Sequence, residues 1–156
     1  QVIMIPIFLM MSKIGLLNSY WSVILPLVAN AYGVFLMRQF MSTIPTELME
    51  AARIDGCSEF RIFWQIILPL TKPALVTLGI LTFLGAWNEF LWPLIMLDSP
   101  DMMTLQVALT QFQGQYEVKW NLLMAASALS MIPIALIFIV FQRYLVEGIA
   151  SSGVKG

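Results

Sequence analysis

The chain has 156 residues, of which 60% are hydrophobic and 11% charged, with a mean hydropathy of +0.85 and a net charge of −1. An ordinary soluble domain carries about 25% charged residues, so this is the composition of a membrane protein. No basic cluster is available for nucleic acid, and a chain with no His and a single Cys, Cys57, lacks a ligand set for zinc or a redox metal.

Residues 2–11 are apolar, with Pro6 among them, but amount to about half of the ~20 residues needed to cross a ~30 Å hydrocarbon core. They have neither the basic flank nor the small-residue cleavage site of a signal peptide. The expectation is a truncated helix over 1–11 and a chain that forms the C-terminal part of a longer protein. Ser12, Lys13 and residues 15–19 make a connection. The stretch 20–38, apolar apart from Ser22 and Asn30 until it closes on Arg38, predicts a spanning helix kinked at Pro26. A polar, charged loop follows over 45–70. Pro73 opens a third span, 73–97, which at ~1.5 Å per residue is about 37 Å long and leaves room for tilt. Residues 98–120, with Pro100 and Gly114 as breakers and Tyr116 and Trp120 as interfacial anchors, read as a second loop. The last span is 121–145, interrupted by Pro133 and followed by Arg143 near its end and a Gly-rich tail from Gly148.

This order predicts an all-α, polytopic transmembrane protein. If the loop 45–70 is cytoplasmic, the inside carries Arg38, Arg53, Arg61, Lys72, Arg143 and Lys155, and the outside only Lys13 and Lys119. That asymmetry is what the positive-inside rule expects. The loop 98–120 is then extracytoplasmic and the C-terminus cytoplasmic.

The loop 45–70 is longer than a membrane turn requires. Its residues 50–69 hold five of the chain's seventeen charged side chains. Pro45 fits the start of a helix, Thr46 can cap it, and Glu47 and Glu50 lie where the N-terminal dipole favours negative charge. Ala51 and Ala52 remove bulk so that another surface can approach, and Gly56 is placed as a C-terminal cap. Ser58 can cap a second helix carrying Phe60, Phe63, Ile66 and Ile67, halted near Pro69. Cys57 reads as a small turn residue. Spacing alone leaves two readings open, a docking surface and an interfacial amphipathic loop with no partner.

The residues Glu50-Ala51-Ala52, three positions, Gly56, nine positions, Ile66, one position, Leu68-Pro69 resemble the EAA loop of bacterial ABC importer permeases, with every fixed position present. Asp55 and Pro73 resemble the subgroup that takes up carbohydrates and glycerol-phosphate-type solutes. The likeness extends through Ile5-Pro6, Leu25-Pro26, residues 35–40, Trp87-Asn88-Glu89-Phe90, Pro93-Leu94, Ala125-Ala126 and the terminal Val154-Lys155-Gly156. It is similar to the permease of the maltose-transporter type that ends in a short cytoplasmic tail, departing at Cys57, where a small residue such as Ala is usual. The resemblance implies the type I importer fold, of which 1–156 would be the C-terminal part of one transmembrane domain, with a helix-turn-helix coupling loop.

It also implies partners: a cytoplasmic ABC ATPase dimer, a second homologous permease, an extracytoplasmic solute-binding protein meeting 98–120, surrounding lipid and a sugar-type solute, all at the bacterial inner membrane. Glu50, Ala51, Ala52, Asp55 and Gly56 would dock on the ATPase. The chain has no G-x-x-x-x-G-K-[ST] loop. It is therefore read as a transport subunit that binds no cofactor, its partner using ATP and magnesium.

Within the span 73–97, Asn88 and Glu89 are polar at membrane depth. On a continuous helix Leu81, Gly85, Asn88, Glu89, Trp92 and Met96 share one side, with Phe83, Trp87 and Phe90 on the other. Asn88 and Glu89 could bond sugar hydroxyls and Trp92 could stack on a ring, making these three the candidate substrate path. The alternative is that they tie helix to helix, with Trp92 in the aromatic belt. A rival reading of the whole chain is a secondary transporter or channel using Glu89 as an ion site, and another a membrane scaffold. Ala126 and Ser130, at small-x-x-x-small spacing, read as helix packing. The eleven Met residues read as adaptable filler.

Overall fold

The computed structural model describes residues 2–28, 30–114 and 118–153, with side chains as far as residue 142. The described residues are helical, with no strand among them. They form two compact units, one of residues 1–30 and 83–136, the other of 31–82 and 137–156.

In the first unit, α1 (Met4–Lys13) carries Pro6 in its opening turn, where a missing N–H costs nothing. It closes on Gly15, whose φ of +71° suits a residue without a side chain. Gly15 N donates to the Ser12 carbonyl and Leu16 N to that of Met11, a Schellman ending. The next helix, α2, is Tyr20–Val28, with Pro26 inside it. Met11, Met96 and Leu97 are buried together, flanked by Ile7, Phe8, Leu16, Leu17, Val23 and Trp92.

Asn18 organises this end of the unit. It adopts φ 53°, a left-handed conformation that Asn tolerates better than most residues. Its backbone N donates to the Met96 carbonyl at 2.8 Å, and its Oδ1 accepts from the amides of Asp98 and Ser99, both at 3.0 Å. Its Nδ2 donates to Ser99 Oγ at 2.6 Å.

In the second unit, α3 is Ala31–Met41 and α4 is Thr46–Ile54. Next comes α5, Glu59–Ile62, which passes into a π-helical stretch, Phe63–Ile67, and then α6, Leu68–Leu70. The segment halts near Pro69, as expected, its last helical residue being Leu70. Pro69 has no N–H for the Gln65 carbonyl four residues earlier, and the chain ahead of it widens by a residue per turn. The break comes at Thr71, fully buried, where Glu59–Leu70 and α7 (Lys72–Trp87) meet at 68°.

The expected span 73–97 is interrupted. After Trp87 the helix stops, and α8 begins afresh at Leu91–Met96. The cause is Pro93, which offers no N–H to the Glu89 carbonyl and whose ring would clash with it. The single helical face drawn through Leu81, Asn88, Trp92 and Met96 is therefore replaced by two half-helices and a turn. The loop expected over 98–120 contains a 3-10 turn, Pro100–Met102, and a helix, α9 (Leu105–Gln111). The final helix, α10, runs Trp120–Gly153, so Gly148 does not end it. By length and composition, residues 20–41 and 120–142 can each cross a membrane, and the bent pair of Glu59–Leu70 with Lys72–Trp87 makes a third if counted as one. Tyr116 and Val154-Lys155-Gly156 lie outside the described residues, as does the Arg143 side chain.

Candidate functional site

The loop between α3 and α7 is built from two helices and a sharp turn. Its first helix, α4, has Pro45 as its N-cap, and no side chain caps it; Thr46 is the first helical residue rather than the cap expected. Glu47 in the first turn and Arg53 in the last complement the helix dipole. The helix ends at Asp55, after which Gly56 turns the chain at φ +77°. Gly56 N donates to the Arg53 carbonyl and Cys57 N to that of Ala52, each at 3.0 Å. These are the two bonds of a Schellman motif, and they need a left-handed residue at position 56. Ser58 then caps α5, its Oγ accepting from Arg61 N at 3.4 Å.

A bidentate ion pair bridges the turn. Arg53 Nε donates to Glu59 Oε1 at 2.6 Å and Nη2 donates to Oε2 at 3.2 Å. The hydrogen bond from Arg53, with its positive charge adding to it, holds the Glu59 carboxyl below the usual range, and the same bond raises Arg53. Of the residues expected at the docking surface, Glu50, Ala51, Asp55 and Gly56 are exposed. Ala52 is not. It is 6% exposed, so it is a packing residue on the inner face of α4. Ile62 takes the inward position on α5 at 1% exposure, while Phe60 and Trp64, their ring centroids 6.0 Å apart, are exposed.

The three residues named as a solute path lie around the break between α7 and α8, and the structure uses each of them internally. Asn88 Nδ2 donates to the Leu84 carbonyl at 2.8 Å, a bond within its own helix end. Glu89 Oε1 accepts from Trp92 N at 3.1 Å, which caps the first turn of α8. Trp92 Nε1 donates to the carbonyl of Ser22, on α2, at 3.2 Å. Glu89 and Trp92, but not Asn88, line a cleft of about 450 Å³ whose other walls are Ile3, Met4, Ile7, Pro26, Leu27 and Leu91. Among the described residues of that lining, Glu89 is the one charged group in an otherwise apolar set. Among the described residues, no three His, Cys, Asp or Glu side chains come together as a metal site.

Residues 1–151 match the family model of the binding-protein-dependent transport system inner membrane component. The chain belongs to this family. As a member of it, the chain is 45% identical over its whole length to the arabinooligosaccharides transport system permease protein AraQ of Halalkalibacterium halodurans, covering 56% of that protein. Over 97% of its length it is 38% identical to the sn-glycerol-3-phosphate transport system permease protein UgpE of Pectobacterium atrosepticum, covering 55% of it. A solved structure, described as a bacterial ABC transporter involved in the import of the acidic polysaccharide alginate, superposes with a TM-score of 0.80 at 30% identity, over 90% of this chain and 55% of that one. The chain thus spans about half the length of the curated relatives it matches. This inner membrane component has the all-α ABC importer permease fold.

Besides the Arg53–Glu59 pair across the turn, two residues of this family member carry roles that the sequence reading of the site did not give them. Asn18 gave no signal beyond being a polar residue in a connection. Ser22 gave a partial one, because Pro26 stands four residues after it and leaves its carbonyl without a helical donor.

Proposed function

We propose that this chain is part of a membrane-spanning permease subunit of an ATP-driven carbohydrate importer, and that α4 is where the ATPase cycle enters it. The supporting observation is the identity of 45% across the full chain to a permease named for arabino-oligosaccharide transport. The loop geometry fits the role. A helix with Glu50, Ala51, Asp55 and Gly56 exposed is fixed to the next helix by a Schellman turn and an ion pair, so a push on α4 is passed to α5 rather than absorbed by the turn.

In this reading a cytoplasmic ABC ATPase dimer binds α4, a second homologous permease completes the pathway, and an extracytoplasmic solute-binding protein delivers solute at the side carrying residues 98–120. The C-terminus is cytoplasmic. The ATPase, not this chain, uses ATP and magnesium. Glu89 and Trp92 face the pathway through the cleft they line. Asn88, whose Nδ2 is bonded to the Leu84 carbonyl, lies outside that cleft and stays beside them as the third candidate of the path. The ion-coupled rival finds no support in the family match, and its ion site, Glu89, is engaged as a helix cap.

The test is uptake of labelled arabinotriose and, separately, glycerol-3-phosphate into proteoliposomes holding the complete transporter, its binding protein and ATP. ATP-dependent uptake of arabinotriose is expected, abolished by Gly56→Trp with helix content unchanged. Uptake driven by an ion gradient without ATP, and lost in Glu89→Gln, would establish the rival instead.

A further inference from the structure

Trp92 makes two bonds that share a purpose. Pro26 cannot donate to the Ser22 carbonyl four residues before it, so α2 carries an acceptor that its own backbone leaves open. Trp92 Nε1 fills it from a position 70 residues away. The backbone N of the same Trp92 is held by the Glu89 carboxylate. Trp92, Glu89, Pro26 and Leu27 all line the same cleft. The residue therefore joins α2, α8 and the charged group of the cleft through two hydrogen bonds, at a place where α7 and α8 are separated by a turn rather than by continuous helix.

We propose that Trp92 is a positioning residue of the translocation path: it sets the separation of α2 and α8 and thereby the orientation of Glu89 towards the cleft. Its indole N–H is committed to Ser22 and is not available for a solute hydroxyl. Its part in solute selection runs through the wall it holds. The proposal deepens the importer reading and rests on it for the word translocation; the tie itself does not depend on it.

The two roles open to Trp92, satisfying a carbonyl and holding two helices together, are separable by repairing α2. Pro26→Ala supplies the missing N–H to one lone pair of the Ser22 carbonyl and leaves the second for the Trp92 indole. Trp92→Phe keeps an aromatic ring and removes the indole donor. The complete transporter, carrying Cys57→Ala and the reporter Leu27→Cys in the cleft wall, is placed in lipid nanodiscs, and the rate of labelling by a small maleimide is measured. A positioning residue predicts that Trp92→Phe changes the rate about fivefold, the scale of one lost hydrogen bond, whether position 26 keeps its proline or carries Pro26→Ala. An effect seen only where the proline is kept, or none in either background, overturns the proposal. Where Trp92→Phe alone fails to assemble, the comparison made within the Pro26→Ala background carries the same decision. Labelling needs no solute, so its outcome is independent of whether the parent transporter takes up arabinotriose, the measurement on which the importer reading stands or falls.

Discussion

Arg53 and Glu59 face one another across the Gly56 turn, with Nε to Oε1 at 2.6 Å and Nη2 to Oε2 at 3.2 Å. Both side chains are more than half exposed, so the pair adds little to global stability and is weakened by salt. In the proposed reading its part is to join α4 to α5 across the turn. Replacing either partner, as in Arg53→Ala or Glu59→Gln, is expected to lower the solute moved per ATP hydrolysed while leaving thermal unfolding nearly unchanged. The exchanged pair Arg53→Glu with Glu59→Arg should recover part of the loss. The ratio of uptake to ATP hydrolysis in proteoliposomes measures it.

The sign of the pH dependence follows from the same bond. Hydrogen bonding to Arg53 lowers the folded-state value of Glu59. Its contribution is therefore complete above the unfolded glutamate value, about 4.3, and is lost as the pH falls through the lower folded value. Arg53, raised by that bond, stays charged throughout. The coupling ratio should be flat around neutral pH, and the small stability difference between the parent and Glu59→Gln should vanish only in acid. Thermal unfolding of the two proteins in detergent as the pH is lowered reads this.

Gly56 separates backbone strain from partner contact. Its φ of +77° disfavours any side chain, but a Cβ placed there meets nothing within 4 Å in this chain. Gly56→Ala should cost roughly 1–2 kcal/mol of left-handed strain, with Gly56→Asn costing less. Differential scanning calorimetry gives that cost. A loss of uptake in Gly56→Asn beyond what the stability change explains would locate a second surface against this turn.

Asn18 holds residues 98 and 99 through its side chain. Asn18→Ala removes three side-chain hydrogen bonds to residues 98 and 99, and at about 1 kcal/mol each the loss is roughly 2–3 kcal/mol. Asn18→Gly keeps the backbone conformation and loses the same bonds, so it should be nearly as unstable. Faster hydrogen exchange at the amides of Asp98 and Ser99 is the local readout.

The elements legible in the sequence were those whose cause is local. Gly56 as a left-handed cap and Ser58 as an N-cap depend on a few adjoining residues, and the structure has both. The break at residues 88–90 was equally local, since Pro93 withholds a donor from Glu89, but the apolar run continues across it and hides the interruption. Ala51 and Ala52 look alike in sequence, and only tertiary packing turns one outward and the other in. The Trp92 to Ser22 bond joins residues 70 positions apart. Half of it was readable, as the carbonyl freed by Pro26; the donor was not. The resemblance of the loop 50–69 pointed to the family, and the match over residues 1–151 shows it.

Burial at a single pair of neighbours gives the most direct test of the docking claim. In the complete transporter with Cys57→Ala, single cysteines are placed as Ala51→Cys, Asp55→Cys and Ala52→Cys, and a short bifunctional maleimide is offered in the presence of a cysteine-bearing ATPase subunit. Positions 51 and 55, which are exposed, are expected to cross-link to the ATPase, and position 52, buried within the chain, is not. Cross-linking at 52 with none at 51 and 55, or none at any of the three, would contradict the docking claim.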